Sequence, residues 1–258
     1  MIMFKTGLAR GLACLVLVVM VAIPGGCVTE SSGGLPGPAS TELRVRAQLD
    51  LARGYLEQRE NSRAKPALSK ALDIDPRNVE AHVLSAVLFH TENEYELAEF
   101  HYKTALRIEP DNAQALNNYG TFLYSRERYA EALVPLGKLV LDTSYRARSQ
   151  AFESLGLVHL RLGELALAEA SFERALELNF RQARATLELA NIAYDRGDIS
   201  SAASRLLEFR TMAQQNARSL CLTLKVAMAT GDNDLVSSTA LALNNLYPDQ
   251  AVQCQASN

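Results

Sequence analysis

The chain has 258 residues, 48% of them hydrophobic and 21% charged, and a net charge of −3. That balance supplies no basic footprint for a nucleic-acid backbone, and no motif that reads DNA or RNA is visible, so no nucleic-acid partner is expected. The length allows one elongated array or up to two compact domains, and the leucine- and alanine-rich apolar fraction favours helix.

Residues 1–26 read as a targeting segment. Lys5 and Arg10 form a positive n-region, and Leu12 to Ile23 is a continuous apolar run, shorter than the ~20 residues a bilayer span needs. The run ends in Pro24-Gly25-Gly26-Cys27, which resembles the bacterial lipobox, with proline where leucine is usual. That resemblance implies cleavage before Cys27 and lipidation of its thiol. The alternatives are an ordinary signal peptide with an incidental cysteine, or an uncleaved anchor. Val28 replaces the aspartate that retains lipoproteins at the inner membrane, so the expected address is the periplasmic face of the outer membrane, with an acyl anchor in its lipid. Residues 27–43 then comprise the lipidated cysteine and a flexible Gly-, Ser- and Pro-rich tether. In an oxidising compartment Cys221 and Cys254 are a candidate disulfide pair, with two unpaired thiols as the alternative.

Residues 44–258 carry an internal repeat. Pro76 closes the phrase ALDIDP and Pro110 closes ALRIEP, an interval of 34 residues, the period of the tetratricopeptide helix-turn-helix. In that register six units follow, at 45–78, 79–112, 113–146, 149–182, 183–216 and 217–250, with a two-residue insertion near Tyr145. Small residues recur at the eighth and twentieth positions of the units, such as Ala52, Ala86, Gly120 and Gly156, and Ala64, Ala98, Ala132 and Ala168. Larger residues recur at the twenty-fourth, such as Leu68, Tyr102, Leu136 and Phe172. The expected fold is therefore all-α, a right-handed superhelical solenoid of six tetratricopeptide repeats whose degenerate last unit acts as a cap.

Chemistry is sparse. His82 and His159 fall at repeat-core positions, and His90 and His101 have no carboxylate or cysteine at metal spacing. No phosphate loop, nucleophile elbow or zinc-protease motif is present. Neither catalysis, a metal nor a cofactor is expected. What remains is a binding surface. The first helix of each unit lines the concave face of such an array, and its positions two, five, nine, twelve and thirteen nominate a semi-apolar groove. Its members are Leu49, Arg53, Leu56, Val83, Val87 and His90, continued by Asn117, Thr121 and Tyr124 in the third unit. An apolar strip with polar margins suits an amphipathic or extended peptide. The same residues could instead touch a neighbouring helix.

Leu116-Asn117-Asn118-Tyr119-Gly120 with Phe122-Leu123-Tyr124 resembles a signature of the type IV pilus biogenesis and stability lipoproteins, the PilF/PilW pilotin family. Phe152-Glu153-x-Leu155-Gly156-Leu157-Val158, Gln215-Asn216-Ala217-Arg218-Ser219-Leu220 and Leu246-Tyr247-Pro248 match in the same order. The resemblance implies a monomeric, lipid-anchored protein that binds the type IV pilus secretin subunit. It would promote the subunit's outer-membrane localisation and multimerisation, hence pilus biogenesis and twitching motility. The competing expectation is a general periplasmic scaffold for cell-wall hydrolases or envelope assembly.

Overall fold

A computed structural model describes residues 40–256; Cys27 and the segments on either side of it lie outside the described residues. Twelve helices pair into six antiparallel hairpins: α1 (Thr41–Glu57) with α2 (Asn61–Ile74), α3 (Val79–Thr91) with α4 (Tyr95–Ile108), α5 (Ala113–Ser125) with α6 (Tyr129–Leu141), α7 (Arg148–Arg161) with α8 (Leu165–Leu178), α9 (Ala183–Asp195) with α10 (Ile199–Met212), and α11 (Ala217–Thr230) with α12 (Asn233–Leu246). A thirteenth helix, α13 (Pro248–Ala256), follows the last hairpin. The architecture is the all-α tetratricopeptide solenoid, in which each hairpin packs mainly on its neighbours.

Local sequence sets the helix boundaries. The side chains of Asn78 and Asn112 accept the Ala81 and Ala115 amides at 2.9 and 3.0 Å, so the phrases ending in Pro-x-Asn both stop one helix and start the next. Asn216 and Ser219 form a reciprocal capping box on α11. The two-residue insertion lengthens the link between α6 and α7, which Asp142 closes by accepting both the amide and the hydroxyl of Ser144 at 2.8 and 2.6 Å. Within each hairpin the chain reverses through one left-handed residue: Arg59, Asn93 and Glu127 in the first three units, Gly163, Gly197 and Gly231 in the last three.

Close approach of the paired helices follows from the small positions. Ala52, Ala64, Ala86, Ala98, Ala132, Ala168, Ala190 and Ala202 are fully buried. At Gly120 an added Cβ would lie 2.6 Å from the Leu136 Cγ, and at Gly156 2.6 Å from the Phe172 Cε1. The large side chain of the second helix thus occupies the space that the glycine vacates. The sixth unit inverts the pattern: Leu224 is buried where the other units have alanine or glycine, and Ala240 stands where they have a large residue. Beyond it, Ala251 and Cys254 of α13 pack with Leu220, Leu224 and Leu243, closing the end of the apolar core.

Candidate partner-binding surface

The nine nominated groove residues do not form one continuous strip. Val83 is fully buried among Val79, Ala105 and Ala115, and Leu49 is 5% exposed within the core of the first unit. Val83 is the correction to the expected groove: its neighbours include Ala105 and Ala115, and the adjoining helices come close enough to cover it. Leu56 and Val87 are half-buried and pack against the cores of units one and two–three. Leu49 still reaches the floor of a cleft of about 630 Å³, lined on α1 by Val45, Arg46, Asp50 and Arg53 and opposite by Asn78 and Glu80. Arg53 bridges the cleft, binding Asp50 at 2.9 Å and Glu80 of the next unit, and both acids hold its guanidinium above its ordinary pKa.

The polar candidates stitch units together. His90 lies 3.2 Å from the Ser125 Oγ, whose own hydrogen is donated to the Phe122 carbonyl at 2.7 Å, so the His90 Nε2–H is the donor. Burial, then Arg126, lowers the His90 pKa, favouring the neutral ring. Tyr124 meets the Tyr129 ring edge-on, and Arg161 of the fourth unit lies 4.7 Å above Tyr129. Thr121 is exposed and donates its hydroxyl to the Asn117 carbonyl, while the Asn117 amide reaches Asn118 at 3.4 Å. His90 with Ser125, and Arg161 over Tyr124 and Tyr129, form a polar seam across units two to four, with Asn117 and Thr121 bonded within α5 beside it; the seam is separate from the cleft at Leu49 and Arg53.

Two titratable clusters sit beside that seam. Glu99 accepts both Arg128 guanidinium nitrogens at 2.6 and 2.9 Å, Lys103 at 2.7 Å and the Tyr119 hydroxyl at 3.1 Å. Arg128 above all holds its carboxyl down to about 2. His82 donates Nε2–H to the Pro76 carbonyl at 3.0 Å, leaving Nδ1 to accept from the His101 Nδ1 at 2.9 Å. Burial, and then His82, push His101 down to about 4. Among the described residues no cluster of histidine, cysteine or carboxylate side chains has the makings of a metal site.

The sequence reading missed the outer face of the second helices. Leu97, Phe100, Val134, Leu141, Leu165 and Leu167 are all exposed there, Val134 at 74%. A cleft of about 400 Å³ lies beside Val134, between Leu106, Pro110 and Pro135. The available signal was apolar side chains at repeat positions outside the packing pattern, such as Phe100 and Val134, both at the twenty-second position. At the other end Cys221 and Cys254 are joined, with Cα atoms 5.8 Å apart, tying α13 to α11.

The hairpin repeat, with its clefts and polar seam, defines a protein-binding solenoid. A tetratricopeptide repeat model matches residues 49–108 and 153–217, and a second such model matches 101–134. The type IV pilus assembly protein PilF of Pseudomonas aeruginosa is 40% identical over 240 residues, covering 92% of this chain and 94% of that protein. A solved structure of Pseudomonas aeruginosa PilF superposes with a TM-score of 0.80 at 39% identity, covering 85% of this chain and all of that one. The crystal structure of PilW, a widely conserved type IV pilus biogenesis factor, gives a TM-score of 0.73 at 26% identity over 81% of this chain and 97% of that one. The chain belongs to the PilF/PilW family of type IV pilus biogenesis proteins.

Proposed function

We propose that this protein is an outer-membrane pilotin: a lipoprotein that binds the type IV pilus secretin subunit and promotes its localisation and multimerisation. The 40% identity to PilF across 92% of the chain is the observation that carries this reading. In it, residues 1–26 are removed, Cys27 carries the acyl chains, the segment between Cys27 and α1 gives reach, and the solenoid, which begins at Thr41 rather than at residue 44, binds. More than one acyl chain gives a stable anchor where a single chain is marginal. A solenoid held by repeated close packing loses little ordering entropy when a peptide docks. The cleft at Leu49 and Arg53 and the polar seam through His90 and Tyr124, with Asn117 and Thr121 beside it, are the surfaces offered to the secretin.

The test is the heat-stable secretin multimer in outer-membrane fractions. A strain lacking the protein should lose the multimer and keep monomer at the inner membrane, and Cys27→Ala should give a folded, soluble protein that mislocalises the pore. Normal multimer levels in the deletion strain would reject the pilotin reading and leave a general periplasmic scaffold.

A further inference from the structure

We propose that a cleft at the C-terminal end of the solenoid, formed by α9, α11 and α13, binds an acidic peptide through Lys225. The cleft measures about 360 Å³. Its position follows from the repeat: Asn191 and Lys225 occupy the same register on the first helices of units five and six, and both line it. The third wall is α13, which the Cys221–Cys254 bond ties to α11.

The charges inside are unequal in their partners. Arg218 is committed to Glu188, a residue only 1% exposed, through hydrogen bonds from both terminal guanidinium nitrogens. Lys225 is half-buried and forms no ion pair among the described residues; Lys65, Lys103 and Lys138 each have a carboxylate, and Lys70, which has none, is exposed. Asp195 lines the cleft from its exposed rim and forms no ion pair with Lys225. A partly buried lysine in a cleft, with no carboxylate partner among the described residues, favours an anionic ligand.

The remaining groups suit a peptide rather than a bare anion. The Asn191 amide donates to the Leu187 carbonyl at 2.9 Å, which leaves its Oδ1 open to accept a main-chain N–H. Tyr194, Leu222 and the disulfide supply an apolar surface for the side chain beside the acid. The Asp195 carboxylate at the rim repels a second acid, so a single carboxylate flanked by an apolar residue is the matching pattern.

This inference is independent of the secretin reading, because its test contains no secretin. Fluorescence anisotropy would follow a labelled octapeptide of glycine and serine around a central leucine–glutamate pair, with leucine–glutamine and leucine–lysine analogues, on the full chain in detergent. The glutamate peptide should bind saturably and about tenfold more tightly than the glutamine peptide, with the lysine peptide weakest. Lys225→Gln, checked for an unchanged melting profile, should erase the preference for glutamate. Joint replacement of Cys221 and Cys254 by serine should weaken both peptides together by loosening the α13 wall. Absence of saturable binding, or a glutamate preference that survives Lys225→Gln, would overturn the assignment.

Discussion

The first three hairpins and the last three reach the same reversal with different residues. Arg59, Asn93 and Glu127 have φ of 59°, 62° and 59°, while Gly163, Gly197 and Gly231 have φ of 77°, 83° and 74°. A side chain in the left-handed region costs roughly 1 kcal/mol that glycine does not. The N-terminal half therefore carries local strain at each turn, and the same half holds the Arg53 cleft and most of the polar seam. The acid-sensitive His101 and Glu99 lie there too. The C-terminal half uses strain-free turns and is closed by α13 and its disulfide. The repeat thus conserves a backbone path, while local sequence decides how firmly each stretch holds it.

The largest expected effect separates the halves through the core. Phe172 is fully buried and fills the space above Gly156, so Phe172→Ala should cost about 3–5 kcal/mol. Because each unit contacts chiefly its neighbours, amide exchange should quicken in units four and five while α1 to α4 keep their protection. Leu136→Ala, at the matching place above Gly120, should loosen units three and four instead. Uniform loss of protection from either variant would show a single cooperative block and erase the comparison.

Acid should act in the opposite half. His101 is depressed to about 4, so the stability from its neutral form is full above the ordinary histidine range and is lost as pH falls towards 4. Glu99 is depressed to about 2, so its contribution is present above the usual carboxylate pKa and is lost between there and about 2. Glu99 is 20% exposed, and screening keeps its contribution below about 3 kcal/mol. In unit four the sign reverses: burial raises the Glu153 pKa, so this residue contributes most in acid and less as pH rises. Asp198 of unit five is also held near 2, by Ser201 first, but is fully exposed at the N-cap of α10. Exchange measured from pH 7 to pH 3 should therefore show units two and three opening before units four and five. Glu99→Gln should reduce the difference by weakening units two and three already at pH 7. Simultaneous opening at every pH would remove the electrostatic part of the contrast.

Much of this was legible in the residues. The 34-residue spacing of Pro76 and Pro110 set the register, and the small residues at Ala52, Ala86, Gly120 and Gly156 marked where helices meet. Repeat position gives the direction in which a side chain leaves its helix, but not how close the next helix comes. Val83 falls at a groove position for that reason, and its alanine neighbours let the packing cover it. The left-handed turns at Arg59 and Glu127 carried no glycine or asparagine signal; tertiary packing of the paired helices imposes them. Tyr95 under Arg126, 3.7 Å from its ring centroid, is likewise a contact between units that no local pattern encodes.

The smallest expected effect tests the turns themselves. Gly163 and Gly197 have nothing within 4 Å of an added Cβ, so alanine there introduces backbone strain and no clash. Arg59 and Glu127 are exposed and form no side-chain hydrogen bond or ion pair among the described residues, so glycine there removes strain and no partner. Part of each change is offset by the greater freedom of glycine in the unfolded chain, which leaves a net effect of about 0.5–1 kcal/mol. Gly163→Ala and Gly197→Ala should lower the denaturation midpoint, and Arg59→Gly and Glu127→Gly should raise it. Asn93→Gly should gain least, because asparagine tolerates the left-handed region best among the three and its side chain also accepts the Tyr95 hydroxyl at 2.7 Å. If both glycine replacements in the first half lower stability, the side chains there are held by something other than turn geometry. The two halves would then differ in composition but not in strain.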